Sequence, residues 1–90
     1  MTRYREIPRK PKEVEAMLYT GENVEEIKEF LGEYFVEVDE TGRLWYRQSL
    51  KAEIITWLDP RDMIVRTIEK NFFYDEYEGD FLEKWKEVLE

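Results

Sequence analysis

The chain has 90 residues, a net charge of −8 at pH 7, and neither cysteine nor histidine. The missing cysteine excludes disulfides and thiolate chemistry, and the missing histidine removes a common metal ligand and the usual general base near neutral pH. The longest apolar runs are only a few residues, which indicates neither a signal peptide nor a membrane span. We therefore expect a non-enzymatic, cytoplasmic protein without a cofactor.

Charge is unevenly distributed along the chain. Residues 1–12 carry five bases and one acid, a net of +4, and because the total is −8, residues 13–90 carry −12. Pro8 and Pro11 favour extended backbone in the first segment. We predict a basic, mobile N-terminal arm over residues 1–12 and a single α+β domain over residues 13–90.

The first predicted strand runs from Glu13 to Tyr19. Its apolar residues Val14, Ala16 and Leu18 alternate with the rest, which is typical of a strand with one buried face.

A short helix is predicted next, between Asn23 and Gly32. Asn23 and Glu26 have the spacing of a capping box, and Gly32 is suited to a left-handed C-terminal cap. Four apolar residues fall on one face of this helix, namely Val24, Ile27, Phe30 and Leu31.

The remainder of the chain predicts a hairpin, three further strands and a closing helix. The hairpin joins residues 34–38 to residues 44–47 through a loop containing Gly42. The later strands cover residues 52–58, 63–68 and 72–74, and Asp80 caps the last helix. The fold class is therefore α+β, a mostly antiparallel sheet of about six strands with two short helices, in the order β-α-β-β-β-β-β-α.

Two stretches of the chain carry a family resemblance. They are Tyr4-Arg5 with residues 11–16 and 19–23, and the turn Asp59-Pro60-Arg61-Asp62 with residues 63–66, 72–73, 81 and 85. Together they resemble a family of small bacteriophage and prophage proteins that carry a Pro-Gly-Asp-Tyr-Gly-like turn, with Arg61 standing where the family has glycine. The resemblance implies a phage-encoded accessory protein, in an infected bacterial cell, of a family without an assigned activity.

Acidic side chains form the first candidate site. They lie in and before the first helix and in the segment 75–80, where the candidates are Glu22, Glu25, Glu26, Glu29, Asp75, Glu76 and Glu78. The second group lacks the ligand spacing of an EF-hand, so we predict no metal site. A band of like charge is typical of ordinary solubility, or of a surface that mimics the phosphates of DNA.

The mimicry interpretation predicts a partner with a basic surface. That partner would be a host nucleic-acid-handling or defence complex, antagonised in the manner of an anti-CRISPR or anti-restriction protein. The acidic body repels phosphates, so direct nucleic-acid binding is expected only through the basic arm.

Basic and aromatic side chains form an alternative site. Arg43, Trp45, Arg47 and Arg66 would surround a nucleotide in an oligomeric small-ligand binder that sequesters a signal of host immunity. The competing interpretation has Leu44 and Tyr46 in the core and Trp45 packed against Arg47 on the surface. A surplus of aromatic residues also favours a homodimer, and a third alternative is a minor virion or assembly component.

Overall fold

A computed structural model describes residues 2–6, 13–51, 53–67, 69 and 71–88. The strands are β1 (Thr2–Glu6), β2 (Glu13–Leu18), β3 (Phe35–Val38), β4 (Leu44–Arg47), β5 (Ile55–Leu58), β6 (Asp62–Thr67), β7 (Phe73–Tyr77) and β8 (Trp85–Glu87). The helices are α1 (Val24–Leu31) and α2 (Glu78–Lys84), and a 3-10 turn at Gly32–Tyr34 follows α1. The mostly antiparallel α+β prediction is confirmed, with eight described strands in two sheets where the sequence predicts about six.

The strands are divided between a five-stranded and a three-stranded sheet. The first has the order β7-β6-β2-β1-β8 and the second the order β3-β4-β5, and neighbouring strands are antiparallel throughout. The predicted 34–38/44–47 hairpin is confirmed as β3 and β4, and Gly42 in its loop has φ +89°.

The prediction of a mobile arm is corrected for Thr2–Glu6, because this segment forms β1 and pairs with both β2 and β8. Tyr4 packs edge-on against Phe81 at 4.7 Å between ring centroids, and Arg5 donates to Glu13 at 2.7 Å. Arg3 and Arg5, two of the five bases that suggested a solvated arm, therefore belong to a strand that also has a core side. Residues 7–12 of the predicted arm lie outside the described residues.

Two apolar clusters cover opposite faces of the five-stranded sheet. One lies under α1 and the three-stranded sheet, and its buried members are Tyr19, Ile27, Phe30, Leu31, Leu44, Tyr46, Leu58, Ile64 and Phe73. The other lies under α2, with Val14, Ala16, Met63, Val65, Phe81 and Trp85. The sheet is thus covered on both faces, which corrects the single buried face predicted for β2: its Glu15 and the following Tyr19 are buried as well.

The first helix begins and ends where predicted, but its N-terminus is held differently. Asn23 makes no capping bond to the helix; its Oδ1 accepts from the Thr20 backbone N–H at 2.8 Å and its Nδ2 donates to the Leu18 carbonyl at 2.8 Å. The predicted capping box is therefore wrong. Gly32 has the positive φ, +56°, that favours glycine, but its ψ of −122° lies outside the left-handed helical region, so the predicted left-handed cap does not form in that conformation.

The C-terminal elements are displaced from their predicted bounds. β7 continues to Tyr77, because residues 75 and 76 pair with β6 instead of forming a loop. α2 consequently begins at Glu78, without a capping Asp80, and ends where Trp85 starts β8. β5 begins at Ile55, and Ala52 and Ile68, the outer ends of two predicted strands, lie outside the described residues.

Within the described part of the chain, no helix is both long enough and apolar enough to cross a membrane.

Candidate functional site

The acidic face of α1 consists of Glu22, Glu25, Glu26, Glu29 and Glu33, all of which are exposed. The helix turns its apolar residues toward the first core cluster, so its glutamates point outward. The described ion pairs join Arg5 to Glu13, Arg43 to Asp59, Arg61 to Glu78, Arg66 to Glu15 and Lys84 to Glu76. None of these pairs neutralises a carboxylate of the acidic face.

The base within α1 does not neutralise the acidic face either. The Lys28 ammonium lies over the Phe35 ring, 5.3 Å from its centroid. Glu25 and Glu26 are in the first turn, where the helix dipole favours negative charge. Glu25 and Glu29, however, are like charges one turn apart, an arrangement that destabilises a helix by about 0.2–0.5 kcal/mol.

A groove of about 340 Å³ runs beside the acidic face and is lined by Met17, Glu26, Glu29, Phe30 and Arg66. The Arg66 guanidinium donates to Glu15 from Nε at 2.8 Å and from Nη2 at 2.5 Å, and it lies 4.6 Å from the centroid of Phe30. Glu15 therefore matches the charge of Arg66, and the two α1 glutamates leave the rim of this groove negative.

The second group of predicted acidic residues, Asp75, Glu76 and Glu78, forms hydrogen bonds and ion pairs with other residues of the chain. Asp75 accepts a 2.5 Å hydrogen bond from the Tyr46 hydroxyl, and Glu76 is ion-paired with Lys84 at 2.5 Å. Burial raises the pKa of Asp75, although the Tyr46 bond opposes the shift, and burial also raises the pKa of Tyr46. Asp75 and Glu76 point to opposite faces of β7, so the structure does not gather them into one acidic loop.

Glu78, the third member of that group, lies nearer to α1. It accepts from Arg61 at 3.2 Å, and together with Glu26 it lines a second cavity of about 340 Å³, beside Leu18 and Met63. The structure thus brings Glu78 toward the acidic face while an arginine partly neutralises it.

The alternative site lies on the outer side of the three-stranded sheet. We call it the tryptophan platform and define it as Arg43, Trp45, Arg47, Ile55 and Trp57. Leu44 and Tyr46 are fully buried, as their alternation with Trp45 and Arg47 predicts. Trp45 is paired in register with Trp57, and their ring centroids are 5.3 Å apart.

Acidic neighbours surround the tryptophan platform. The Trp45 indole donates to Asp39 at 2.8 Å, while the Arg43 guanidinium lies 5.0 Å from the Trp57 centroid and donates to Asp59 at 3.3 Å. Arg66 is on β6, against Phe30, so the four predicted ligand-binding residues are not brought together. Trp57 is a member of the platform that was not among the predicted site residues, although its alternation with Leu58 would have placed it on this outer side.

Neither site has the donor set of a metal centre. Among residues 2–6, 13–51, 53–67, 69 and 71–88, no three carboxylates are grouped so that they could hold a metal ion.

Comparison with known proteins provides no relative from which a site could be transferred. No family model, curated protein or solved structure matches this chain. The phage-protein resemblance of the two stretches stays a prediction.

Proposed function

We propose that this chain is a non-enzymatic protein-binding module whose acidic face docks on a basic, nucleic-acid-binding surface of a partner and blocks it. The partner is a host nucleic-acid-handling or defence complex in an infected bacterial cell, in keeping with the phage resemblance. The observation that carries the proposal is the set of five exposed glutamates on and beside α1 that no described base neutralises.

The density of charge on the acidic face suits mimicry of a nucleic-acid strand. Within α1, Glu25 and Glu29 are four residues apart, a rise of about 6 Å, so the three carboxylates of Glu25, Glu26 and Glu29 follow one another every ~3 Å along the helix axis on average. One strand of B-DNA carries one phosphate per about 3.4 Å of helix axis. A basic groove that binds one strand would therefore meet a similar charge per unit length on the acidic face.

The helix presents these carboxylates on a fixed support. Ile27 is fully buried, and Phe30 packs edge-on against Phe73 with 5.6 Å between ring centroids. A partner therefore meets glutamates whose backbone is already ordered, which lowers the entropy lost on binding.

The tryptophan platform favours a nucleotide less well. Trp45 is already bonded to Asp39 and Arg43 to Asp59. An anionic ligand stacked there would lie beside two carboxylates, and Arg66 would not reach it.

The test compares two triple variants in affinity capture from a bacterial lysate. Glu25→Lys/Glu26→Lys/Glu29→Lys reverses the acidic face, and Glu40→Lys/Glu69→Lys/Glu83→Lys makes the same charge change at exposed positions elsewhere. We expect the wild type and the second variant to retain the same nucleic-acid-binding proteins, and duplex DNA to elute them. The acidic-face variant should lose them, with its circular dichroism unchanged.

Retention of those proteins by the acidic-face variant, or failure of DNA to compete, would refute the proposal. Binding should also weaken as salt is added, because screening reduces attraction between oppositely charged surfaces.

A further inference from the structure

Strand β5 is an open edge of the three-stranded sheet. It pairs with β4 on one side, where Thr56 lies opposite Tyr46 and Trp57 opposite Trp45, and no described strand pairs with its other side. The segment 54–58, Ile-Ile-Thr-Trp-Leu, contains no charged residue, proline or glycine. Ile54, Ile55 and Trp57 remain 55%, 46% and 40% exposed.

The other edge strands each carry a feature that discourages pairing. β8 exposes Lys86 and Glu87, and β3 has an exposed Glu37 together with an irregular register between Phe35 and Glu37. β7 carries two acids, and its first residue already donates its backbone N–H to Gln48 at 2.9 Å. Charges and bulges are the usual protection of sheet edges. β5 has neither.

The sequence of β5 is also self-complementary. In an antiparallel pair of two β5 strands centred on Thr56, the two Thr56 residues face each other, and Ile55 of each strand faces Trp57 of the other. Ile54 then faces Leu58. Threonine–threonine and aromatic–β-branched pairs are favourable across strands, and a two-fold axis repeats each contact.

We propose that β5 is a dimerisation edge that pairs antiparallel with β5 of a second copy of this chain, which would join the two three-stranded sheets into one sheet of six strands. The occupant is a second copy because every pair in the central five positions is apolar or threonine–threonine. At each end of the pairing Glu53 faces Asp59 of the other copy. Arg43 is already ion-paired with Asp59, so its positive charge offsets the repulsion between these two carboxylates.

The acidic face stays free in such a dimer. α1 contacts β3 through Lys28 and Phe35, and β3 forms the opposite edge of the three-stranded sheet from β5. The effect of salt therefore distinguishes dimerisation from docking. Salt should strengthen a dimer of two chains of charge −8, because it screens their repulsion, and it should weaken the attraction of the acidic face for a basic partner.

The first experiment is sedimentation equilibrium of the full chain at concentrations up to about 0.5 mM, at low and high salt. We expect a reversible dimer that salt tightens. Ile55→Lys should raise the dissociation constant by about tenfold or more, since a lysine on a strand edge blocks pairing. Leu82→Lys, at a leucine of α2 that is 49% exposed, is the matched control and should dimerise like the wild type.

The second experiment tests the register by disulfide formation, which is possible because the chain has no cysteine. Thr56→Cys should form a disulfide between two copies on mild oxidation, because facing residues of antiparallel strands have Cα atoms about 4.5–5.5 Å apart. Glu53→Cys is the control, since its two copies would lie roughly 20 Å apart along the pair.

The proposal would be overturned by a wild type that stays monomeric throughout the concentration range. It would equally be overturned if Ile55→Lys dimerised as tightly as the wild type, or if the two cysteine variants cross-linked to the same extent.

Discussion

Arg61 holds a backbone conformation that side-chain-bearing residues rarely adopt. Its φ is +84°, and it is the third residue of a turn in which the Asp62 N–H donates to the Asp59 carbonyl at 3.0 Å. Pro60 at the second position and a positive φ at the third are typical of a type II turn, which favours glycine at the third. Here an arginine holds the backbone conformation that glycine adopts most readily.

We expect substitutions at Arg61 to rank by their tolerance of positive φ. Arg61→Gly should change the free energy of unfolding by less than about 1 kcal/mol, because relief of strain offsets the loss of the exposed Glu78 ion pair. Arg61→Val should lower it by about 1–3 kcal/mol, since a β-branched residue is strained there. Urea denaturation measures both, and equal stability of the two variants would contradict the argument.

Asp39 organises the loop between β3 and β4. Its Oδ1 accepts from the Thr41 hydroxyl at 2.6 Å and the Thr41 backbone N–H at 2.8 Å, and its Oδ2 accepts from the Trp45 indole. The Thr41 hydroxyl first, then the Trp45 indole and backbone N–H groups, hold the pKa of Asp39 well below its usual range.

This shift predicts a pH dependence of stability. Because the folded state binds the proton of Asp39 more weakly than the unfolded state, Asp39 stabilises the fold above its ordinary pKa of about 3.9, and that contribution is lost as the pH falls. Asp39→Ala should therefore be less stable than the wild type at neutral pH, with a difference that shrinks in acid. Denaturant titrations followed by tryptophan fluorescence measure it, and Glu40→Ala is the control. A difference independent of pH would contradict the assignment.

At the scale of elements, β1 ties the second core cluster together. Tyr4 packs against Phe81, and β1 is the link between β2 and β8 in the five-stranded sheet. The Tyr4 ring is therefore a structural anchor in a segment whose composition suggested a solvated arm.

Tyr4→Ala should lower the free energy of unfolding by about 2 kcal/mol, less than a fully buried aromatic because Tyr4 is only half-buried. Tyr77→Ala, at a tyrosine more than half exposed, is the matched control and should change it by less than about 1 kcal/mol. Thermal and urea unfolding measure both variants. Equal effects would show that β1 contributes little to the core.

Local patterns predicted the elements whose signals lie within a few residues. Alternation located β2, the apolar face located α1, and a glycine located the loop between β3 and β4. The strands β1 and β8 were not predicted, because each is short and charged and because they pair with each other across the length of the chain. Sequence periodicity carries no information on such distant partners.

In the candidate sites, too, features that depend on local sequence could be predicted and features that depend on distant partners could not. The exposure of Glu25 and Glu29 followed from the helical period of α1 alone. The engagement of Asp75 could not be predicted, because its hydrogen-bond partner Tyr46 is 29 positions away. The contact between Trp57 and Trp45 likewise depends on the pairing of β4 with β5.

At the scale of the whole molecule, the docking role proposed for the acidic face carries a cost in stability. Glu29 lies one turn after Glu25, near the C-terminus of α1, where the helix dipole disfavours negative charge. A surface selected for stability alone would place a base at this position.

Glu29→Lys should therefore raise the free energy of unfolding by about 0.5 kcal/mol at low salt, by replacing repulsion from Glu25 with attraction. The gain should diminish in high salt, which screens exposed charges. Urea denaturation at two ionic strengths measures it. A destabilised variant would mean that Glu29 supports the fold.

The pairing of β1 with β8 also bears on how quickly the chain folds. The Val88 N–H donates to the Arg3 carbonyl at 3.0 Å, so residues from opposite ends of the described chain share a hydrogen bond. Contacts this distant in sequence slow folding, because a long loop must close before they form. During synthesis β8 emerges after the other seven described strands, so the five-stranded sheet stays incomplete at β1 until then. Until β8 docks, β1 is itself a temporarily unprotected edge, at which a nascent chain is open to mispairing.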